Sequence, residues 1–281
     1  MSEVQGSLGR RRNVSGSFGV VVQNADLRLR VAEMVYRSGE GHIPSSFSIL
    51  DILEVLYRSV LKFNSGKPND PGRDFFVLSK GHGAAALFAV LNKYGFLTDG
   101  DIDEYGSAAG ILGGHPDATK VAGAEFSTGS LGHGFPMSVG VALGLKIDSL
   151  QNQVFVLVGD GECHEGTIWE SANVAVNNGL DNLTAIVDWN GSAAQLMPTD
   201  DLPAKWEAFG WETLIIDGHN SNEVQNAALK PRIGGIPRAI IAKTTKGYGV
   251  DFISGHGQWH HKIPSADEMT MIRNLLRVGG V

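Results

Sequence analysis

The chain has 281 residues, 23 basic and 30 acidic side chains, a net charge of −7, 37 glycines and one cysteine. The mild acidity gives no electrostatic reason to expect nucleic acid, and one cysteine excludes an internal disulfide framework or a cysteine-rich zinc module. The longest uninterrupted apolar run, residues 84–91, is far short of the ~20 residues that span a bilayer.

Apolar residues make up 42% of the chain, a globular value that argues against disorder. Residues 1–24 read as a flexible N-terminal arm, and 25–281 as one domain with no internal linker or repeat. The arm is polar and lacks a hydrophobic signal segment, so a cytoplasmic protein is expected. Its basic run Arg10-Arg11-Arg12 reads as a solvated face. Glycine stands roughly twice above its usual ~7% share, in short clusters without a Gly-X-Y period.

In chain order, the apolar spacing of Leu27, Val31, Met34 and Val35 predicts a helix over 24–37. After the loop GEGHIP, Ser46 or Ser48 is the expected cap of a second helix with the stripe Ile49, Ile52, Leu53, Leu56 and Val60. Residues 74–78 (DFFVL) read as a buried strand, followed by SKGHG and a small-residue helix to about residue 93. Leu97-Thr98-Asp99-Gly100-Asp101 reads as a turn. A glycine-rich stretch, 106–134, leads into a helix over 135–150. A strand over 154–158, the loop 159–162, a helix over 165–178 and a strand over 183–188 form the clearest unit. Strands over 213–216 and 239–243 flank a helix over 222–229, and a last helix covers 266–278. This alternation predicts an α/β fold, a parallel sheet with helices on both faces.

The strongest chemical signal is Gly159-Asp160-Gly161 at one strand end and Asn190 just past the next, thirty residues on, the length of one βαβ crossover. That spacing sets both side chains at the carboxyl edge of adjacent parallel strands, where such sheets bind ligands. An anionic oxygen from Asp160, an amide oxygen from Asn190 and the Ser192 carbonyl suit Mg²⁺ shared with phosphates, with Ca²⁺ or Mn²⁺ as alternatives. Taken alone, either side chain is an ordinary strand-end residue; the spacing and the flanking glycines make the pair a candidate site.

The segment GDGECHEGTIWESANVAVNNGLDNLTAIVDWNG resembles the thiamine-diphosphate motif, which opens with GDG and closes on Asn. Around it, GHIPSS, LSKGHGAAALFAVL, GGHPD, STGSLGHG, WEAFGWE, DGHN and KTTKGYGV resemble the transketolase family in that family's order, over about residues 25–265. Full transketolases are more than twice this length, so the chain resembles their N-terminal, diphosphate-binding part, as in split transketolases of two polypeptides. The implied fold is the parallel-sheet thiamine-diphosphate-binding fold.

The resemblance implies roles. Asp160, Asn190 and Ser192 would hold the metal; Gly161 and His82 would lie at the diphosphate; Gly129, Ser130 and Leu131 would cover the cofactor. His42, His115 and His260 would face the sugar, although His261 stands where the family usually has glycine. Glu165 would match a carboxylate at the interface between halves. Histidines suit proton movement at sugar hydroxyls near neutral pH. A separate C-terminal subunit would supply the activating glutamate and the aminopyrimidine pocket, in an α₂β₂ assembly, so the chain alone would be inactive. The implied activity is ketol transfer from a ketose phosphate, or an analogue such as a sulfonate, to an aldose phosphate. Ser192 departs from the family's usual Ile, which leaves room for a specialised catabolic enzyme acting on 6-deoxy-6-sulfofructose or apulose 4-phosphate.

Other readings remain open. The α subunit of a 2-oxo acid dehydrogenase shares the GDG…N motif, although the GHIP and GHPD histidines argue against it. A non-catalytic cofactor-binding scaffold is a third possibility, opposed by intact Asp160, Asn190 and His82. Gly81-His82-Gly83-Ala84-Ala85-Ala86 fits a dinucleotide fingerprint but lacks the second strand and acid that it needs. His164-Glu165 opens like a zinc-protease motif, but Ile168 occupies the second histidine's place. His133, His164, His219 and His256 are left as structural or unassigned, and Cys163 reads as incidental.

Overall fold

The structure, a computed structural model, describes residues 22–278 apart from 196, 200, 256 and 258. Arg10, Arg11, Arg12, His256 and most of the expected N-terminal arm lie outside the described residues. Of that arm, Val22 packs against the core and the Gln23 carbonyl accepts from Arg28 Nη1 at 2.5 Å, so its last residues are held.

Five strands form one all-parallel sheet: β1 (Phe75–Leu78), β2 (Val154–Gly159), β3 (Leu183–Trp189), β4 (Glu212–Asp217) and β5 (Arg238–Lys243), in the spatial order β1-β2-β3-β5-β4. The helices are α1 (Ala25–Ser38), α2 (Ile43–Val55), α3 (Ala84–Lys93), α4 (Asp99–Asp103), α5 (Gly134–Ile147), α6 (Gly166–Asn177), α7 (Leu202–Ala208), α8 (Ser221–Leu229) and α9 (Ala266–Val278).

Side chains alternate across a strand, and the alternation divides the core. Phe155 and Leu157 of β2 and Ile186 of β3 face the layer of α1, α2, α3, α8 and α9. Val154, Val156, Val158, Ala185 and Val187 face α5, α6 and α7. Both faces of the sheet are therefore covered, which is why its strands read as nearly continuous apolar runs.

Two local expectations are corrected and one helix is added. α2 starts at Ile43 rather than at Ser46 or Ser48, because Pro44 fits the first helical turn and needs no capping hydroxyl; both serines sit buried inside the helix. The supposed turn at Leu97–Asp101 opens α4, where Thr98 and Asp101 form a reciprocal capping box. α7 was not foreseen; Asp201 caps it by accepting from Ala204 N at 3.1 Å. Among the described residues, no helix is long and apolar enough to cross a membrane.

Candidate active site

The β2–β3 register pairs Gly159 with Asp188, so Asp160 and Asn190 leave the sheet at adjacent strand ends, as the spacing requires. Asp160 is 2% exposed. Its Oδ1 accepts from Gly161 N at 2.7 Å, while its buried Oδ2 has no hydrogen-bond partner among the described residues. Burial, and then the charge of Asp188, raise its pKa. A buried anionic oxygen without a donor is costly unless a cation or proton meets it.

Asp188 is the opposite case. It is fully buried, yet it is an ion-pair partner of Lys80 and accepts from Ser48 Oγ at 2.8 Å, Asn190 Nδ2 at 2.8 Å and the Thr244 hydroxyl. Burial alone would raise its pKa; the Lys80 charge and these hydrogen bonds outweigh burial and lower it. Asn190 Oδ1 accepts from Ser192 N at 2.9 Å. Among the described residues no cluster of three His, Cys, Asp or Glu side chains could hold a metal. A cation here would rely on Asp160, the Asn190 amide oxygen, the Ser192 carbonyl and oxygens from a bound ligand.

A histidine wall stands beside these strand ends. The ring of His42 lies 4.8 Å from that of His82, 5.5 Å from His260 and 4.7 Å from His261. His82 lies 5.3 Å from His115. Four segments distant in sequence, those carrying His42, His82, His115 and the pair His260-His261, thus converge. Burial first, then neighbouring histidines, lower the pKa values of His42 and His82 to about 4. Burial and then Lys246 lower that of His260. Lys246 Nζ lies 3.0 Å from His260 Nδ1 and donates to Ser192 Oγ at 2.9 Å, tying the Asn190 loop to the wall.

The loop carrying Gly129, Ser130 and Leu131 is fastened at both ends. Thr128 Oγ1 donates to the Leu78 carbonyl at 2.7 Å, and Gly132 N donates to Glu162 Oε1 at 2.9 Å. Glu162 also receives Ser79 Oγ and Gly159 N, yet burial outweighs these bonds and raises its pKa. Gly81 lies against this loop so closely that a Cβ there would meet Gly129 N and Cα at 2.8 Å and His115 Cδ2 at 3.0 Å. Glu165 is exposed at the start of α6, beside Gly132.

The chain matches the family model described as transketolase, thiamine diphosphate binding domain, over residues 22–279. It belongs to this family. It is 36% identical over 253 residues to an apulose-4-phosphate transketolase subunit of Phocaeicola vulgatus, covering 88% of this chain and 90% of that protein. It is 37% identical over 261 residues to a 6-deoxy-6-sulfo-D-fructose transketolase subunit of a Clostridium species, covering 91% and 90%. A transketolase crystal structure from Campylobacter jejuni matches with a TM-score of 0.84 at 29% identity, over 92% of this chain and 43% of that one. The family chain here thus spans less than half of that solved transketolase and nearly all of the two subunits.

As site residues, Lys80, Ser48, Asp188, Thr244 and Lys246 escaped the sequence reading. Asp188 left a trace, a lone charge in the apolar strand TAIVDW; Lys80 and Lys246 lie inside segments quoted for other residues. Of the remaining histidines, His133, His164 and His219 have structural partners. His219 Nε2 accepts from Thr245 N at 2.9 Å, so its Nδ1 carries the hydrogen given to Asp51 at 2.8 Å. His133 Nδ1 donates to the Leu131 carbonyl, and His164 Nε2 to that of Met197. Cys163 is buried, and burial raises its pKa, so its thiol stays protonated.

Proposed function

We propose that this chain is the N-terminal subunit of a two-subunit, thiamine-diphosphate-dependent transketolase in the cytoplasm, with 25–281 acting as one diphosphate-binding domain. The observation that carries this reading is the buried, donor-less Oδ2 of Asp160 beside Asn190, bordered by the histidine wall. It asks for a cation, and the match to the thiamine diphosphate binding domain supports a diphosphate as the ligand that shares it.

In this reading Asp160, Asn190 and the Ser192 carbonyl hold Mg²⁺. Gly161 and His82 lie at the diphosphate, and the fastened loop Gly129–Ser130–Leu131 covers the cofactor. Glu165 faces the partner half. When bound, thiamine diphosphate supplies the electron sink for breaking the carbon–carbon bond beside the ketose carbonyl. His42, His115 and His260, with His261 adjacent, bind sugar hydroxyls. His42 Nδ1 lies 2.9 Å from the His260 carbonyl, so its hydrogen is committed there and Nε2 is the atom open to a hydroxyl hydrogen.

The partner subunit supplies the activating glutamate and the aminopyrimidine pocket, in an α₂β₂ assembly. The transferred unit is a two-carbon ketol group, and the donor is a ketose carrying a phosphate or sulfonate. The related subunits of apulose 4-phosphate and sulfofructose enzymes support a specialised catabolic donor.

The test is ketol transfer by this chain with and without a co-purified C-terminal transketolase subunit. Transfer only by the pair is expected. Robust transfer by this chain alone, or lipoamide-dependent oxidation of a 2-oxo acid by the pair, overturns the reading.

A further inference from the structure

We infer that Asp188, which the family roles above leave out, is the positioning residue that fixes the amide of Asn190, presenting Oδ1 to the cation. This rests on the cation site proposed above. Two opposed contacts determine the amide's orientation. Its Nδ2 donates to Asp188 Oδ2 at 2.8 Å, and its Oδ1 accepts from the backbone N–H of Ser192 at 2.9 Å. The flipped amide would set an oxygen against a carboxylate and an NH₂ against an N–H, losing both bonds. Correctly turned, Oδ1 keeps a second lone pair for a cation.

Asp188 is itself held so that it serves the amide and not the metal. Lys80, Ser48 and Asn190 converge on Oδ2, and the Thr244 hydroxyl takes Oδ1. The two carboxylates at these adjacent strand ends are therefore divided: Asp188 is saturated with donors, and Asp160 retains a bare oxygen. The donors come from α2 and from the segments just after β1, β3 and β5, so the sheet's carboxyl edge and one covering helix together set the direction of one amide.

The test alters the two ends of this clamp in the assembled two-subunit enzyme and reads Mg²⁺ affinity by calorimetry at saturating thiamine diphosphate. Asn190→Asp supplies an oxygen ligand as good as the amide, but sets a second carboxylate against Asp188. We expect its Mg²⁺ Kd to rise at least tenfold. Thr244→Val, which removes one clamp of Asp188, should raise the Kd several-fold and lower the melting temperature by a few degrees. Thr244→Ser keeps the hydroxyl and should return the Kd to within about threefold of wild type. A role in folding alone would lower the melting temperature of Thr244→Val without moving the Kd. Asn190→Asp binding Mg²⁺ as tightly as wild type, a folded Thr244→Val binding as wild type, or Thr244→Ser binding no better than Thr244→Val each overturns the proposal. Wild type that binds no Mg²⁺ with the cofactor overturns the cation site itself, and with it this inference.

Discussion

His42 gives its Nδ1 hydrogen to the backbone carbonyl of His260, 2.9 Å away. The bond links the GHIP loop to the QWHHK loop and fixes the tautomer of His42, leaving Nε2 as its only free nitrogen. Three histidines in this wall, His42, His82 and His260, have pKa values lowered chiefly by burial. A lowered histidine pKa means that the unfolded chain binds more protons below its ordinary value, near 6.5. The neutral wall therefore contributes nothing adverse above that pH, and stability falls as pH drops from about 6.5 toward about 4. Thermal melting across this window should show the fall, and His42→Gln combined with His82→Gln should flatten it. An equal slope in that variant would mean that other groups control acid sensitivity.

Gly81 owes its identity to the loop opposite. A methyl at its Cβ would meet backbone atoms of Gly129 at 2.8 Å, closer than real contacts allow, and would press on His115. The Gly129–Leu131 segment cannot retreat freely, because Thr128 and Gly132 anchor it. Gly81→Ala should displace the cover and the His115 ring, lowering kcat/KM of the assembled enzyme by a factor on the order of a hundred. The melting temperature should drop by only a few degrees. Wild-type kinetics in Gly81→Ala would show that the loop yields without consequence.

How much of this was legible in the sequence depends on the range of each interaction. The Asp160–Asn190 spacing was readable because one crossover length dictates it, and the histidines were readable because glycines and prolines frame each of them. The helix start at Ile43, the capping box at Thr98 and the cap at Asp201 were local signals that were misread or missed. The Lys80–Asp188 pair was not readable in that way. Its members stand 108 residues apart, and only the β1–β2–β3 order brings them together. A long-range pair leaves one odd charge in each of two apolar segments and no spacing to measure.

His219 shows what the same residue type does when it is structural. It spans from Asp51 of α2 to Thr245 N after β5, stacks on Tyr248 at 3.6 Å and shares Asp51 with the buried Arg28. His219→Ala would leave Thr245 N without its acceptor and remove one donor from a buried carboxylate. A loss of about 2–3 kcal/mol in unfolding free energy is expected from urea titration. Mg²⁺ and cofactor affinity at saturating partner subunit should change far less than in Asn190→Asp. A stability change below about 0.5 kcal/mol would mean that the network repairs itself.

Asp160 trades stability for binding. Its raised pKa means that the folded state prefers the protonated acid, so the group favours folding at low pH and opposes it once pH rises through the folded-state value. Once Asp160 is ionised, the free chain holds a buried charge with one oxygen unpartnered, next to the carboxylate of Asp188. Asp160→Asn removes the charge while keeping the shape. The variant should melt higher than wild type without ligands, by the equivalent of about 1–3 kcal/mol, the usual cost of an unsatisfied buried group. Added Mg²⁺ and thiamine diphosphate should stabilise the wild-type assembly and leave the variant unmoved, reversing their order. A variant less stable than wild type without ligands would show that some contact of Asp160 already offsets its burial.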